Sequence, residues 1–187
     1  PLPSSAAFVI ETERVQTNIE TPGSVNRTEH ALRAVFEDGS AVMYARTNTP
    51  RFSHIEATED HGLELLFFWD QAGMPTGVVV NIACPSQVIE SRRELSADYW
   101  HEVRVELRRR LGSGLQVLPL CSAAGDQSPH LMFDKAAEDL MCKRRGLTRL
   151  EEIARRIVRA WEDVYEVAQK DTHAGAVLRH QVQEIDL

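Results

Sequence analysis

Two short apolar runs bracket a stretch of helical periodicity, and that arrangement constrains this chain more than any other feature. Thr76 to Ala83 is a valine-rich run of strand length, and Leu115 to Leu120 is a second. Between them Trp100, Val103, Leu107 and Leu111 recur at the spacing of one helix face. Strand, helix and strand in that order predict a crossover between parallel neighbours in one sheet. Ser96 suits the N-cap of that helix, with Asp98 in its first turn, and Gly112 suits its end. The loop leaving the second strand, Leu-Cys-Ser-Ala-Ala-Gly-Asp-Gln-Ser-Pro-His at 120–130, then occupies the position where open α/β sheets place their chemistry.

The flanking sequence fills in a mixed α/β domain, hairpin-rich in its first half and helix-rich in its second. Residues 6–19 alternate as one strand, and Thr21-Pro22-Gly23-Ser24 is a turn. Asp38-Gly39 joins a strand from Ala31 to Phe36 to a return through Arg46, and 47–53 reads as a connection. Leu63 to Trp69 turns at Asp70-Gln71-Ala72-Gly73 into the 76–83 strand, which fits antiparallel pairing until Pro85 ends it. After the 120–130 loop a helix is expected from near Leu131 to Gly146. Thr148-x-x-Glu151 is a capping box opening a longer helix with Leu150, Ile153, Ala154, Ile157, Trp161, Val164 and Ala168 on one face. The tail 176–185 alternates as a closing strand.

At 187 residues the chain has room for one sizeable core and is read as a single α/β domain, 1–187, part of a larger catalytic domain. Its N-terminus, Pro1-Leu2-Pro3-Ser4, has neither an initiating Met nor a signal-peptide core, which suggests an internal starting point. A formal charge of −7 argues against a nucleic-acid partner, because phosphate binding needs a basic face. Arginines at 144–149 and 155–159, interleaved with glutamates, read as solvated helix surface. The three cysteines, Cys84, Cys121 and Cys142, lack metal-ligand spacing and are expected to be reduced and mostly buried. No run approaches the length of a membrane-spanning helix. Oligomeric state is not legible.

The 120–130 loop supplies a hydroxyl (Ser128), a carboxylate (Asp126), an imidazole (His130) and a permissive glycine (Gly125). A serine hydroxyl attacks only when a base or a metal takes its proton, and His130 or His61 is available for that, with Asp126 to orient either. Ser128-Pro129 ahead of a helix is more often the pattern of an N-cap and first helical residue, and on the residues alone the cap is the favoured reading. Asn26-Arg27 is either a surface turn or a guanidinium that stabilises an oxyanion. Glu59-Asp60-His61 is half of a metal site or a strand-entry cap, and Cys84 is a packed thiol or a single zinc ligand.

Taken in order, these segments resemble the neutral/alkaline (non-lysosomal) ceramidases, more closely their uncharacterised bacterial relatives. The resemblance runs from about 24 to 160. It is carried by Val25-Asn26-Arg27, by Glu59-Asp60-His61 with the strand to Asp70, and by Val80-Asn81-Ile82-Ala83. It continues through Ser96-Ala97-Asp98-Tyr99 and ends at Gly125-Asp126-Gln127-Ser128-Pro129. It implies zinc-dependent hydrolysis of the amide of an N-acyl lipid or related N-acyl amine, with Ser128 as nucleophile and an extracytoplasmic parent protein. Arg27 would stabilise charge, Asp126 and Gly125 would shape the loop, and Asn26, Asp98 and His61 would lie near the substrate. Zinc is expected in the full-length protein. In the ceramidases one zinc ligand is a histidine just after the strand matched by Val80 to Ala83, and here that place holds Cys84-Pro85-Ser86. Other ligands lie outside these 187 residues, so His61 and Cys84 do not complete the site. A relative keeping the fold without catalysis, as a ligand-binding or structural module, is the alternative.

Overall fold

The computed structural model describes residues 7–8, 30–56, 60 and 62–173, with backbone alone for 7, 8, 30 and 31. Its elements in chain order are β1 (Ala7–Phe8), β2 (His30–Ala31), β3 (Arg33–Phe36), β4 (Ala41–Met43), β5 (Phe52–Ile55), β6 (Leu63–Trp69) and β7 (Pro75–Ile82). They continue with α1 (Tyr99–Leu111), β8 (Gln116–Cys121), β9 (Gln127–Ser128), α2 (Lys135–Arg145) and α3 (Arg149–Ala168). The mixed α/β class is as expected, with hairpins first and helices after.

The main sheet runs β1-β6-β7-β8. β6 and β7 form the antiparallel hairpin, Leu65 opposite Val80, around a turn in which Asp70 Oδ1 accepts from the N–H groups of Ala72 and Met74. β7 and β8 are parallel, Val78 opposite Val117, and α1 makes the crossover. Alternation puts Leu63, Leu65, Phe67 and Trp69 of β6 on one face with Val78, Val80 and Ile82 of β7. α1 and α3 cover that face, adding Val103, Leu107, Ile153, Ile157 and Trp161 to one continuous core. On the outer side of β8, Leu118 and Leu120 stay exposed.

A second sheet, β4-β3-β5, contains the Asp38-Gly39 hairpin, where Gly39 takes φ 78°. Its third strand, β5, lies partly within the stretch expected to be a connection; Pro50 sits just outside it and the run Phe52–Ile55 pairs with β3. Of the strand expected over 6–19, Ala7–Phe8 pairs with β6, and the remainder lies outside the described residues, as does the tail 176–185. No helix among the described residues is long and apolar enough to cross a membrane.

Three expectations about helix ends and faces need correction. The N-cap of α1 is Asp98, not Ser96: Asp98 Oδ1 accepts from Tyr99 N–H at 2.9 Å, and Ser96 Oγ instead accepts from Asp98 N–H. α2 starts at Lys135 rather than near Leu131, because Asp134 in a left-handed conformation sets its first turn. The capping box of α3 forms as expected, but its charged residues are not all solvated. Glu152 is wholly buried and Arg156 nearly so. Glu152 accepts from Arg145, Arg155 and Arg156 at 2.8–2.9 Å, and Glu138 of α2 pairs with Arg149 and Arg156. Burial alone would raise the Glu152 pKa, yet the hydrogen bonds from Arg155 and Arg156 prevail and lower it to about 2. Since α2 otherwise buries only Cys142, this ionic seam is its main attachment to α3.

Candidate active site

Ser128 lies in β9, beyond the C-terminal end of β8, and pairs in antiparallel register with His30. The strand is short, yet its surroundings are well tied. Leu32 N–H donates to the Asp126 carbonyl at 2.9 Å, and the Leu32 carbonyl accepts from Tyr44 N–H at 2.9 Å. One residue of the first half thus holds both the Ser128 loop and Tyr44, which follows β4.

The Ser128 hydroxyl does not cap a helix, because α2 begins seven positions later. Its oxygen accepts from the backbone N–H of His130 at 3.1 Å and from the phenol of Tyr44 at 3.2 Å. The residue is 0% exposed. The His130 ring meets Tyr44 edge-on, with centroids 6.2 Å apart, and its Nε2 lies 3.2 Å from Glu90 Oε1. Glu90 belongs to the connection between β7 and α1, and His130 follows β9 in the connection between β8 and α2. The two strand-end loops of the parallel pair therefore meet at this imidazole, as the crevice rule for open sheets expects. On the other side, Arg149 of α3 donates to the Pro129 carbonyl at 3.3 Å while paired with Glu138. The buried ionic seam thereby reaches the serine turn.

The remaining sequence-derived candidates separate into three groups. Asn26, Arg27 and His61 lie outside the described residues. Asp126 is half-buried beside Ser128, and its Oδ1 accepts from the Gln127 side chain at 3.0 Å. The Gln127 Oε1 is buried with no hydrogen-bond partner among the described residues. Asp98 is buried and its carboxylate is occupied, one oxygen on Tyr99 N–H and the other on Ile89 N–H at 3.0 Å. It fastens the loop after β7 to the start of α1. Its backbone, φ 52°, is strained for a non-glycine residue, and these bonds hold it there.

Gly125 is exposed, and an added Cβ there would meet nothing within 4 Å. Its φ is also outside the left-handed region, so neither space nor backbone requires glycine. Gly125→Ala is expected to leave stability unchanged or raise it by up to about 1 kcal/mol in urea unfolding, by narrowing the unfolded ensemble.

The metal expectation finds no support in this geometry. Among the described residues no group of three or more His, Cys, Asp and Glu side chains is placed to hold a metal ion. Cys84 is buried beneath the end of β7, its thiol 3.8 Å from the Pro85 carbonyl and its own carbonyl accepting from the Tyr99 hydroxyl at 2.6 Å. Burial pushes the Tyr99 phenol far above its usual pKa, which keeps that bond intact at any ordinary pH. The residues described do not fit a zinc centre. None of the three cysteines forms a disulfide, and Cys121 is the exposed one.

Tyr44, Glu90 and Arg149 carried no motif. Glu90 was reachable from the crevice rule, since it follows the other parallel strand. Tyr44 lies 84 positions from Ser128 and gave no local signal.

No family model matches the sequence, and no curated protein matches it. Solved structures do. A ceramidase complexed with C2 matches 91% of this chain with a TM-score of 0.53 at 15% identity, and the chain covers 24% of that protein. The neutral ceramidase from Pseudomonas aeruginosa matches 80% of the chain with a TM-score of 0.45 at 17% identity, over 23% of its own length. By the first of these the chain has the fold of part of a ceramidase. It spans about a quarter of the length of the solved structures it matches.

Proposed function

We propose that this chain carries the serine centre of a ceramidase-like hydrolase that cleaves the amide of an N-acyl amine, a lipid amide being the first class to test. The observation that carries this reading is the placing of Ser128. Its hydroxyl lies at the C-terminal end of the parallel strand pair, against the loop whose imidazole is engaged by Glu90. With Nε2 directed to the carboxylate, Nδ1 is the nitrogen left to accept a proton.

In this mechanism Ser128 Oγ bonds to the carbonyl carbon, the carbonyl π pair moves onto oxygen, and the Oγ proton passes to His130. Collapse of the tetrahedral adduct breaks the C–N bond, and the amine departs with the proton from His130. Water then repeats the sequence on the acyl-serine, releasing the acid. Glu90 holds the ring and balances its charge when protonated. Arg27, Asn26 and His61 enter only through the resemblance, Arg27 as a stabiliser of the oxyanion. Asp126 shapes the loop.

The test is hydrolysis of a panel of long-chain N-acyl amines, ceramide included, by this chain and by its Ser128→Ala variant. Turnover is expected to fall at least about 1,000-fold in the variant, as when a nucleophile is deleted from a comparable centre. Turnover that survives the substitution removes the reading.

The sealed environment of Ser128 favours a second reading, a non-catalytic relative that binds an acyl chain. It requires saturable binding of the same amines with no release of fatty acid, and any Ser128-dependent hydrolysis rules it out.

A further inference from the structure

The hydrogen bonds of Ser128 point to a residue that no motif marks, on the premise that Ser128 is the nucleophile. A hydroxyl oxygen has two acceptor positions. In Ser128 both are filled, one by the N–H of His130 within the same turn and the other by the phenol of Tyr44. The first contact is local backbone. The second comes from a distant strand end, and Tyr44 is itself 48% exposed. It is the member of the pair that can turn aside.

Tyr44 is also held in a costly conformation. Its φ is 51°, in the left-handed region that an aromatic residue seldom enters, at about 1–2 kcal/mol. Such strain persists where the surroundings impose it, often at functional positions. Here the Leu32 carbonyl fixes the Tyr44 backbone, and the edge of the His130 ring meets its side chain. Leu32 also bonds the Asp126 carbonyl, so phenol and serine are referenced to one residue.

We infer that Tyr44 is a catalytic residue of the Ser128 centre: its phenol holds the resting hydroxyl, then turns its O–H to the carbonyl oxygen of the substrate. That turn releases the Oγ lone pair for attack. The carbonyl oxygen then lies one carbon away from Oγ, within reach of a donor that begins 3.2 Å from it. Tyr44 keeps its proton throughout, and the proton from Oγ goes to His130, so the charge that develops on the carbonyl oxygen is met by a neutral donor.

Tyr44→Phe keeps the ring and its cover and removes only the hydroxyl. With the N-acyl amine that gives the highest turnover, kcat is expected to fall about 100-fold or more while KM changes less than about threefold. The thermal unfolding midpoint is expected to stay put. A fluorophosphonate supplies a readout independent of substrate identity, since its phosphoryl oxygen gains charge in the same way. Labelling of the Ser128 peptide, read by mass spectrometry, is expected to slow by a similar factor in Tyr44→Phe, and also in Tyr44→Ala, where the serine is uncovered. Faster labelling in Tyr44→Ala would make Tyr44 a mere cover and overturn the inference. So would an unchanged kcat in Tyr44→Phe, or a loss of kcat matched by a loss of thermal stability. Ser128→Ala separates the two claims. If it is inactive while Tyr44→Phe is fully active, the hydrolase reading stands and only the role of Tyr44 falls. If the unsubstituted chain neither turns over nor labels at Ser128, both fall together.

Discussion

Replacing Glu152 with alanine is expected to lower the stability of this protein by about 3–5 kcal/mol, the usual result of removing one partner from a buried charge network. The carboxylate is wholly buried and accepts from three guanidinium groups. Its loss leaves Arg156, itself buried, with only part of its compensation. Urea denaturation followed by circular dichroism measures the change.

The pH dependence gives the same interaction an independent signature. In the folded chain the Glu152 pKa is depressed from 4.5 to about 2. A depressed carboxylate contributes stability that is fully present above its unfolded value and is lost as pH falls through the folded one. The window is therefore about 4.5 down to about 2, and the contribution is lost progressively across it. Glu152→Gln keeps the shape and cannot titrate, so its unfolding free energy is expected to fall less steeply over that window. A variant with the same acid slope as the parent would show that other carboxylates set it.

Trp161→Ala is expected to cost a further about 3–5 kcal/mol, as for other large aromatic deletions in a packed core. Trp161 stacks on Tyr165 at 4.6 Å and meets Phe67 of β6 at 5.9 Å, so its ring is the joint between α3 and the sheet. Trp161→Phe should behave very differently. The indole Nε1 is buried with no hydrogen-bond partner among the described residues. Phenylalanine removes that unsatisfied donor while keeping most of the stack, and the two effects offset to within about 1 kcal/mol. A Phe variant as damaged as the Ala variant would show that the indole N–H is bonded after all.

The sheet was legible because its signals are periodic and local. Leu63 to Trp69 and Thr76 to Ala83 carry a turn between them, and the α1 stripe could hardly do anything but cross over to Leu115. The capping box at Thr148 was legible for the same reason: its two partners are three residues apart. Asp98 was misassigned because Ser96 and Asp98 are both good caps, and the choice between them depends on Ile89, a loop residue that only the fold brings near. Glu152 and Arg156 were read as surface because a charged residue i,i+4 from its partner looks the same on paper whether water or another helix lies beyond it. Ser128 posed the hardest case, since serine followed by proline is more often a cap than a nucleophile. The cap reading falls because α2 begins at Lys135, with Asp134 at its N-cap.

Arg149 gives the serine turn a dependence that local geometry would not reveal. It bonds the Pro129 carbonyl with one nitrogen and Glu138 with another. The turn can be no firmer than the helix pair standing behind it, and whatever loosens that pair reaches the hydroxyl through a single guanidinium. Rigidity at the serine turn is borrowed from the salt links between α2 and α3, and so is its fragility.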